Sequence, residues 1–240
     1  MAQHIGIAAC SAEGAALCYR TICAEGALLL GPHGHPEITM HTPPFASYVA
    51  VLDRGDWPGV AELMLGSAAK LAGAGADFVI CPDNTLHQAL GDVLPRSPLP
   101  WLSIADVVAA QAATRGFRRA GVLGTRWLVG SQVYPAALTA HGVDYLLPDT
   151  AERERVHQII MDELVYGTVI PESVSDLRQV ITRMRAAGCD AVVLGCTELP
   201  LALDDASSPL PVLDSTRLLA RAALRQAVTG PAQPAVRHLS

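Results

Sequence analysis

The segment GADFVICPDN, residues 75–84, has a near copy 113 positions later in GCDAVVLGCT, residues 188–197. Each opens with glycine, has aspartate at its third position, runs through four apolar residues and ends in polar or reactive side chains. A short apolar run between turn signals reads as a strand buried on both faces. A second pair supports the first: IGIAAC at 5–10 matches AGVLGT at 120–125, at an offset of 115. Two pairs at nearly one offset imply two similar halves. On the offset of 113, Asp83 falls on Cys196.

The rest of the chain fits such halves. Apolar runs at 4–9, 37–41, 77–81, 100–103, 119–124, 143–147, 190–195 and 210–213 read as strands. Helical patterns fill 12–26, 46–53, 56–74, 104–115, 129–141, 151–166, 172–187 and 214–228. Alternating strands and helices predict an α/β fold of two pseudo-symmetric Rossmann-like domains with parallel sheets. The expected first domain takes residues 1–98 plus 213–230, the second takes 99–212, and 231–240 form a flexible tail. Ligands of such sheets bind beyond the carboxyl ends of the strands, where both polar clusters lie. An active site in the cleft between the domains follows.

Composition removes several classes of function. Half of the 240 residues are hydrophobic, enough for a sizeable core. A formal charge of −6 disfavours nucleic acid and anionic membranes as partners. The opening MAQHIGIAACSAEG lacks the pattern of a signal peptide, and no apolar run reaches the roughly 20 residues of a membrane span. A cytoplasmic location is expected, with the cysteines at 10, 18, 23, 81, 189 and 196 as free thiols. They form no CxxC pair, and HGH at 33–35 reads as a loop, so no metal is expected. Lys70 is the sole lysine and sits in a helical pattern, which disfavours Schiff-base chemistry.

The chain resembles the aspartate/glutamate racemase superfamily, most closely its aspartate-racemase-type branch. The resemblance rests on IGIAACSAEGAALCYRTI at the start, PPFASYVAVLDRGDW at 43–57, GADFVICPDNTLH and GVLGTRW at 121–127. It continues through ERERVHQIIMDELVYG at 152–167 and LGCTELPLAL at 194–203. It implies a cofactor-independent enzyme, a homodimer and a small-molecule carboxylate substrate. Typical members place one cysteine before an Asn-Thr pair and another in the Gly-Cys-Thr motif. Here the residue before Asn84-Thr85 is Asp83, and Cys81 lies two positions early. Ala9 and Cys10 also depart from the usual pattern, and Lys70 lies outside the region where some members hold a side-chain carboxylate.

The resemblance implies a racemase or epimerase working by two-base proton transfer at the α-carbon of a small amino acid or related acid. Asp83 and Cys196 are the expected catalytic pair. Asp83 has a second reading, a cap accepting a backbone N–H of the following helix. Ser11, Asn84, Thr85, Thr197 and Glu198 are the expected substrate-binding residues, with Thr197 at a helix start. Ser11 also reads as a helix cap, Glu198 as the group orienting Cys196, and His87 as a packed histidine in the next helix. His41 and Thr42 are expected to shape specificity. The alternatives are a one-thiol decarboxylase, a cis–trans isomerase of a small dicarboxylate, or an inactive homolog.

Overall fold

The computed structural model describes residues 2–230, so the tail at 231–240 lies outside the described residues. The two quoted segments make the same local structure. Gly75 and Gly188 take left-handed φ values of 89° and 92°, which end the preceding helices at little cost for a residue without Cβ. Asp77 then accepts the His4 N–H at 2.6 Å, and Asp190 accepts the Arg118 and Arg119 N–H groups at 2.9 and 3.1 Å. Each carboxylate thereby ties its own strand to the start of the strand beside it.

Strands β1 (Ile5–Ala8), β2 (Ile38–His41), β3 (Phe78–Ile80) and β4 (Trp101–Leu102) form one parallel sheet in the order β2-β1-β3-β4. Strands β5 (Arg119–Leu123), β6 (Asp144–Leu146), β7 (Ala191–Leu194) and β8 (Val212–Asp214) form the other, in the order β6-β5-β7-β8. The two orders are the same pattern repeated, as the internal echo requires. Central strands β1 and β7 are buried at every residue, which is why they read as unbroken apolar runs. Strand β4 falls past residue 98 yet pairs with β3, and β8 pairs with β7 although it reaches Asp214.

Helices α1 (Ala12–Leu30), α2 (Phe45–Asp53), α3 (Trp57–Gly73) and the short α4 (Leu90–Val93) surround the first sheet. Helix α5 (Ile104–Thr114) leaves the first sheet and packs Val108, Ala109 and Ala112 onto Ala120, Val122 and Val193 of the second. In the reverse direction α10 (Ser215–Thr229) leaves the second sheet and packs Leu219, Ala220 and Ala223 against Ile5, Ile7 and Ile22 of the first half. Each half thus lends its last helix to the other.

Two expected helices are broken. The pattern at 129–141 resolves into α6 (Arg126–Val129) and α7 (Val133–Ala140), because Thr125 caps a first short turn, accepting the Leu128 N–H at 3.4 Å. The pattern at 151–166 starts as α8 (Thr150–Gln158), behind a capping box of Asp149 and Glu152. It then widens into a π-helical turn over Ile159–Glu163 and tightens into a 3₁₀ turn over Leu164–Tyr166. Helix α9 (Pro171–Ala186) completes the second half.

Candidate active site

The loops after β3 and β7 meet at the junction of the halves. One cavity of about 40 Å³ is lined by Asp83, Asn84 and Thr85 from the first loop and by Cys196, Thr197 and Glu198 from the second. Ser11 and Thr125 also line it. The structure therefore brings all seven expected site residues to one place. It assigns them distinct surroundings.

The Cys196 thiol donates to Glu198 Oε2 at 3.0 Å, and the Thr197 hydroxyl donates to the same oxygen at 2.8 Å. Ser11 Oγ lies 3.3 Å from Thr197 Oγ1. Since the Thr197 proton is engaged by Glu198, Ser11 is the donor in that pair. Ser11 also caps α1, accepting the Gly14 N–H at 3.4 Å. A hydrogen-bond chain thus runs from Ser11 to Glu198, and Glu198 is positioned to orient the thiol. Burial pushes the Cys196 thiol well above its ordinary range, and the Glu198 charge adds to this. The resting group is a protonated thiol.

Asp83 is half-buried, and its carboxyl is both hydrogen-bonded to the following turn and exposed to the cavity. Its Oδ1 accepts the Leu86 N–H at 3.0 Å, a cap on the 3₁₀ turn Thr85–Ala89, while the carboxyl lines the cavity. Burial pushes its pKa up, and the Glu198 charge adds to that, opposed by the Leu86 N–H. The loop behind it is held by His87. Its Nδ1 donates to the Asp83 carbonyl at 2.7 Å, and its Nε2 accepts the Ile104 N–H at 3.1 Å. A neutral imidazole has one donor and one acceptor, and both are used; burial lowers its pKa to about 4. The packed reading of His87 is the one observed, in a 3₁₀ turn rather than an α-helix.

Asn84 reaches across to the other half. Its Oδ1 accepts the Tyr134 hydroxyl at 2.6 Å, and its Nδ2 donates to Ser215 Oγ at 3.0 Å. Ser215 in turn donates to the Leu194 carbonyl at 2.7 Å. Thr85 Oγ1 and Thr125 Oγ1 lie 3.2 Å apart, a bond between halves that mirrors Ser11 with Thr197. Ser11 caps the first helix of its half and Thr125 caps the first helix of the other. The two hydroxyls of Thr85 and Thr125 share one bond, so one of their two protons is not used in it.

Two expectations are corrected, and Cys81 is placed as well. No α-helix begins at Thr197; the chain makes only a 3₁₀ turn over Leu199–Leu201, with no side-chain cap to start a longer run. His41 and Thr42 do not line the cavity. His41 donates from Nδ1 to Ser67 Oγ at 3.0 Å and accepts from Lys70 Nζ at 2.8 Å, which also accounts for Lys70. Cys81 points into the core with Tyr48 and Met64 instead of the cavity.

Sequence reasoning missed part of the lining. Cys10 stands beside Asp83 in the cavity; burial and then the Asp83 charge push its thiol up. Its position at the end of β1 was the available signal. An apolar wall was also missed: Phe45, Val49 and Leu52 on one face of α2, together with Trp127, Ile160 and Met161. The spacing 45, 49, 52 is that of one helical face. Ile160 and Met161 come from the π turn, which no periodicity reveals. Among the described residues no cluster of histidine, cysteine or carboxylate side chains forms a metal site, and no helix is long and apolar enough to cross a membrane.

The chain is similar throughout to known racemases. A crystal structure of a Yersinia pestis protein described as a candidate Asp/Glu racemase superposes with a TM-score of 0.86 at 32% identity, covering 94% of this chain and 99% of that one. An aspartate racemase homologue from Pyrococcus horikoshii OT3 gives a TM-score of 0.81 at 26% identity, with the same coverage of 94% and 99%. A broad specificity amino-acid racemase of Bacillus subtilis (strain 168) is 24% identical over 188 residues, 78% of this chain and 80% of that protein. The profile of the Asp/Glu/Hydantoin racemase family matches residues 7–223. With a fold of two matching halves and a thiol and a carboxyl at their junction, this chain belongs to that family.

Proposed function

We propose that this racemase inverts the α-carbon of a small amino acid, or of a related carboxylic acid, with Asp83 and Cys196 as its two acid–base groups and without a cofactor. The observation that carries the reading is that these two side chains, from equivalent loops of the two halves, line one cavity. Removing an α-proton from a carboxylic acid builds an enediolate, so the site must supply a base on one face, an acid on the other and donors to the oxygens. The hydroxyl proton not used in the Thr85–Thr125 bond is such a donor. Asp83 is the more acidic of the two groups and gives up its proton first. In the resting state it is the base and Cys196 the acid; after one turnover the roles are reversed. Glu198 holds the thiol proton in line and accepts an α-ammonium.

An unequal pair is compatible with racemisation, because enantiomers have equal free energy whichever groups move the proton. A cytoplasmic homodimer belongs to the same proposal, and light scattering of the purified protein tests the dimer. The test of the chemistry is deuterium entry from heavy water into the α-position of an amino-acid panel. Cys196→Ala and Asp83→Ala each stop the entry from one enantiomer, opposite in the two variants, and the double variant shows none. Exchange that survives both substitutions rejects the assignment.

A further inference from the structure

The cavity lining is part polar and part apolar. Thr85, Thr125, Thr197 and Glu198 contribute polar groups. Phe45, Val49 and Leu52 of α2, with Trp127, Ile160 and Met161, contribute apolar ones. None of the described lysines or arginines lines it. Lys70 is engaged with His41 away from the cavity, and Arg126 lies over the Trp127 ring, 5.2 Å from its centroid. Two carboxyl groups, Asp83 and Glu198, are already present, and the Glu198 charge acts on Asp83. A substrate adds its own α-carboxylate. A side-chain carboxylate would be a further anion, set against an apolar wall with no cation to pair it, and an unpaired buried charge is strongly unfavourable.

We infer that the wall of α2 and the π turn is the side-chain subsite, and that it takes an uncharged, aliphatic or thioether side chain rather than a carboxylate. The π turn is part of this subsite. Ile160 and Met161, both within the π turn Ile159–Glu163, line the cavity, and Ile160 packs with Ile159 in the core behind it.

This inference rests on the racemase reading, and two measurements keep the two apart. The first is α-deuterium incorporation with leucine, valine and methionine against aspartate, glutamate and lysine. The second is binding of leucine and glutamate to the wild-type protein by calorimetry. Exchange at least tenfold faster with the apolar group supports the subsite. Faster exchange with aspartate, glutamate or lysine overturns it and leaves the two-base reading intact. No exchange with any substrate, together with leucine bound at least tenfold tighter than glutamate, supports the subsite and overturns the two-base reading. No exchange and no preference for leucine overturns the subsite also. Met161→Arg supplies the missing cation at the half-buried wall; it is expected to shift the leucine-to-glutamate ratio at least tenfold toward glutamate, and an unchanged ratio removes Met161 from the subsite.

Discussion

The Cys196 thiol hands its hydrogen bond to Glu198 and to no other described group. Glu198→Gln keeps the shape but removes the anion, and loss of positioned acid–base assistance is worth about 10²–10⁴-fold in rate. We expect kcat to fall by that order, with the thiol ionising at lower pH because the neighbouring negative charge is gone. A thiol-reagent titration against pH reads the second effect. Asp83 makes a prediction about stability. Its pKa is raised in the fold, so the stability tied to its protonated form is present at low pH and lost as pH rises through the folded value. The neutral Asp83→Asn variant is therefore expected to gain stability relative to the wild type between about pH 4 and pH 7. Urea denaturation at the two pH values checks it; a constant difference contradicts the burial account.

At the scale of elements, the loop after β3 and the start of α1 place the chemistry. His87 holds the loop only as a neutral ring, with a folded pKa of about 4 against an ordinary 6.5. A depressed value means that its contribution is present above the ordinary pKa and is lost as pH falls toward about 4. The full loss is roughly 3 kcal/mol by linkage. Acid unfolding of the wild type should show this fall, and His87→Gln should flatten it. Gly14 sits on the first turn of α1, where an added Cβ would lie 2.6 Å from both Cβ and Oγ1 of Thr197. Gly14→Ala must displace the loop that carries Cys196. We expect a large drop in kcat with a smaller change in melting temperature, measured side by side.

At the scale of the molecule, the exchanged helices α5 and α10 make each half incomplete alone. Leu219 of α10 is fully buried against the first half, although its helix follows the last strand of the second. Leu219→Ala is expected to cost about 2–5 kcal/mol. The two halves should still melt in one transition, with equal calorimetric and van't Hoff enthalpies. Two separated transitions would show that the halves fold independently. The buried bonds from Asn84 to Tyr134 and Ser215 act in the same sense, joining the halves directly behind the cavity.

The sequence by itself determined the repeat, the strand order of events along the chain and the two loops. These features are local: an apolar run, a left-handed glycine and a strand-tying aspartate are all encoded within ten residues, twice over. Most site residues were legible for the same reason, since Asp83, Asn84, Thr85, Cys196, Thr197 and Glu198 follow directly on strand ends. Only the tertiary structure decided what those residues touch. Whether Asn84 faces a ligand or a tyrosine depends on Tyr134, fifty positions away. That Ser11 completes the chain to Glu198 depends on a contact across 186 positions. The apolar wall needed α2 and a π turn from opposite halves to converge, and a helix widened by one residue leaves no mark on a pattern of period 3.6. Periodicity records which side of an element is buried; it does not record what that side is buried against.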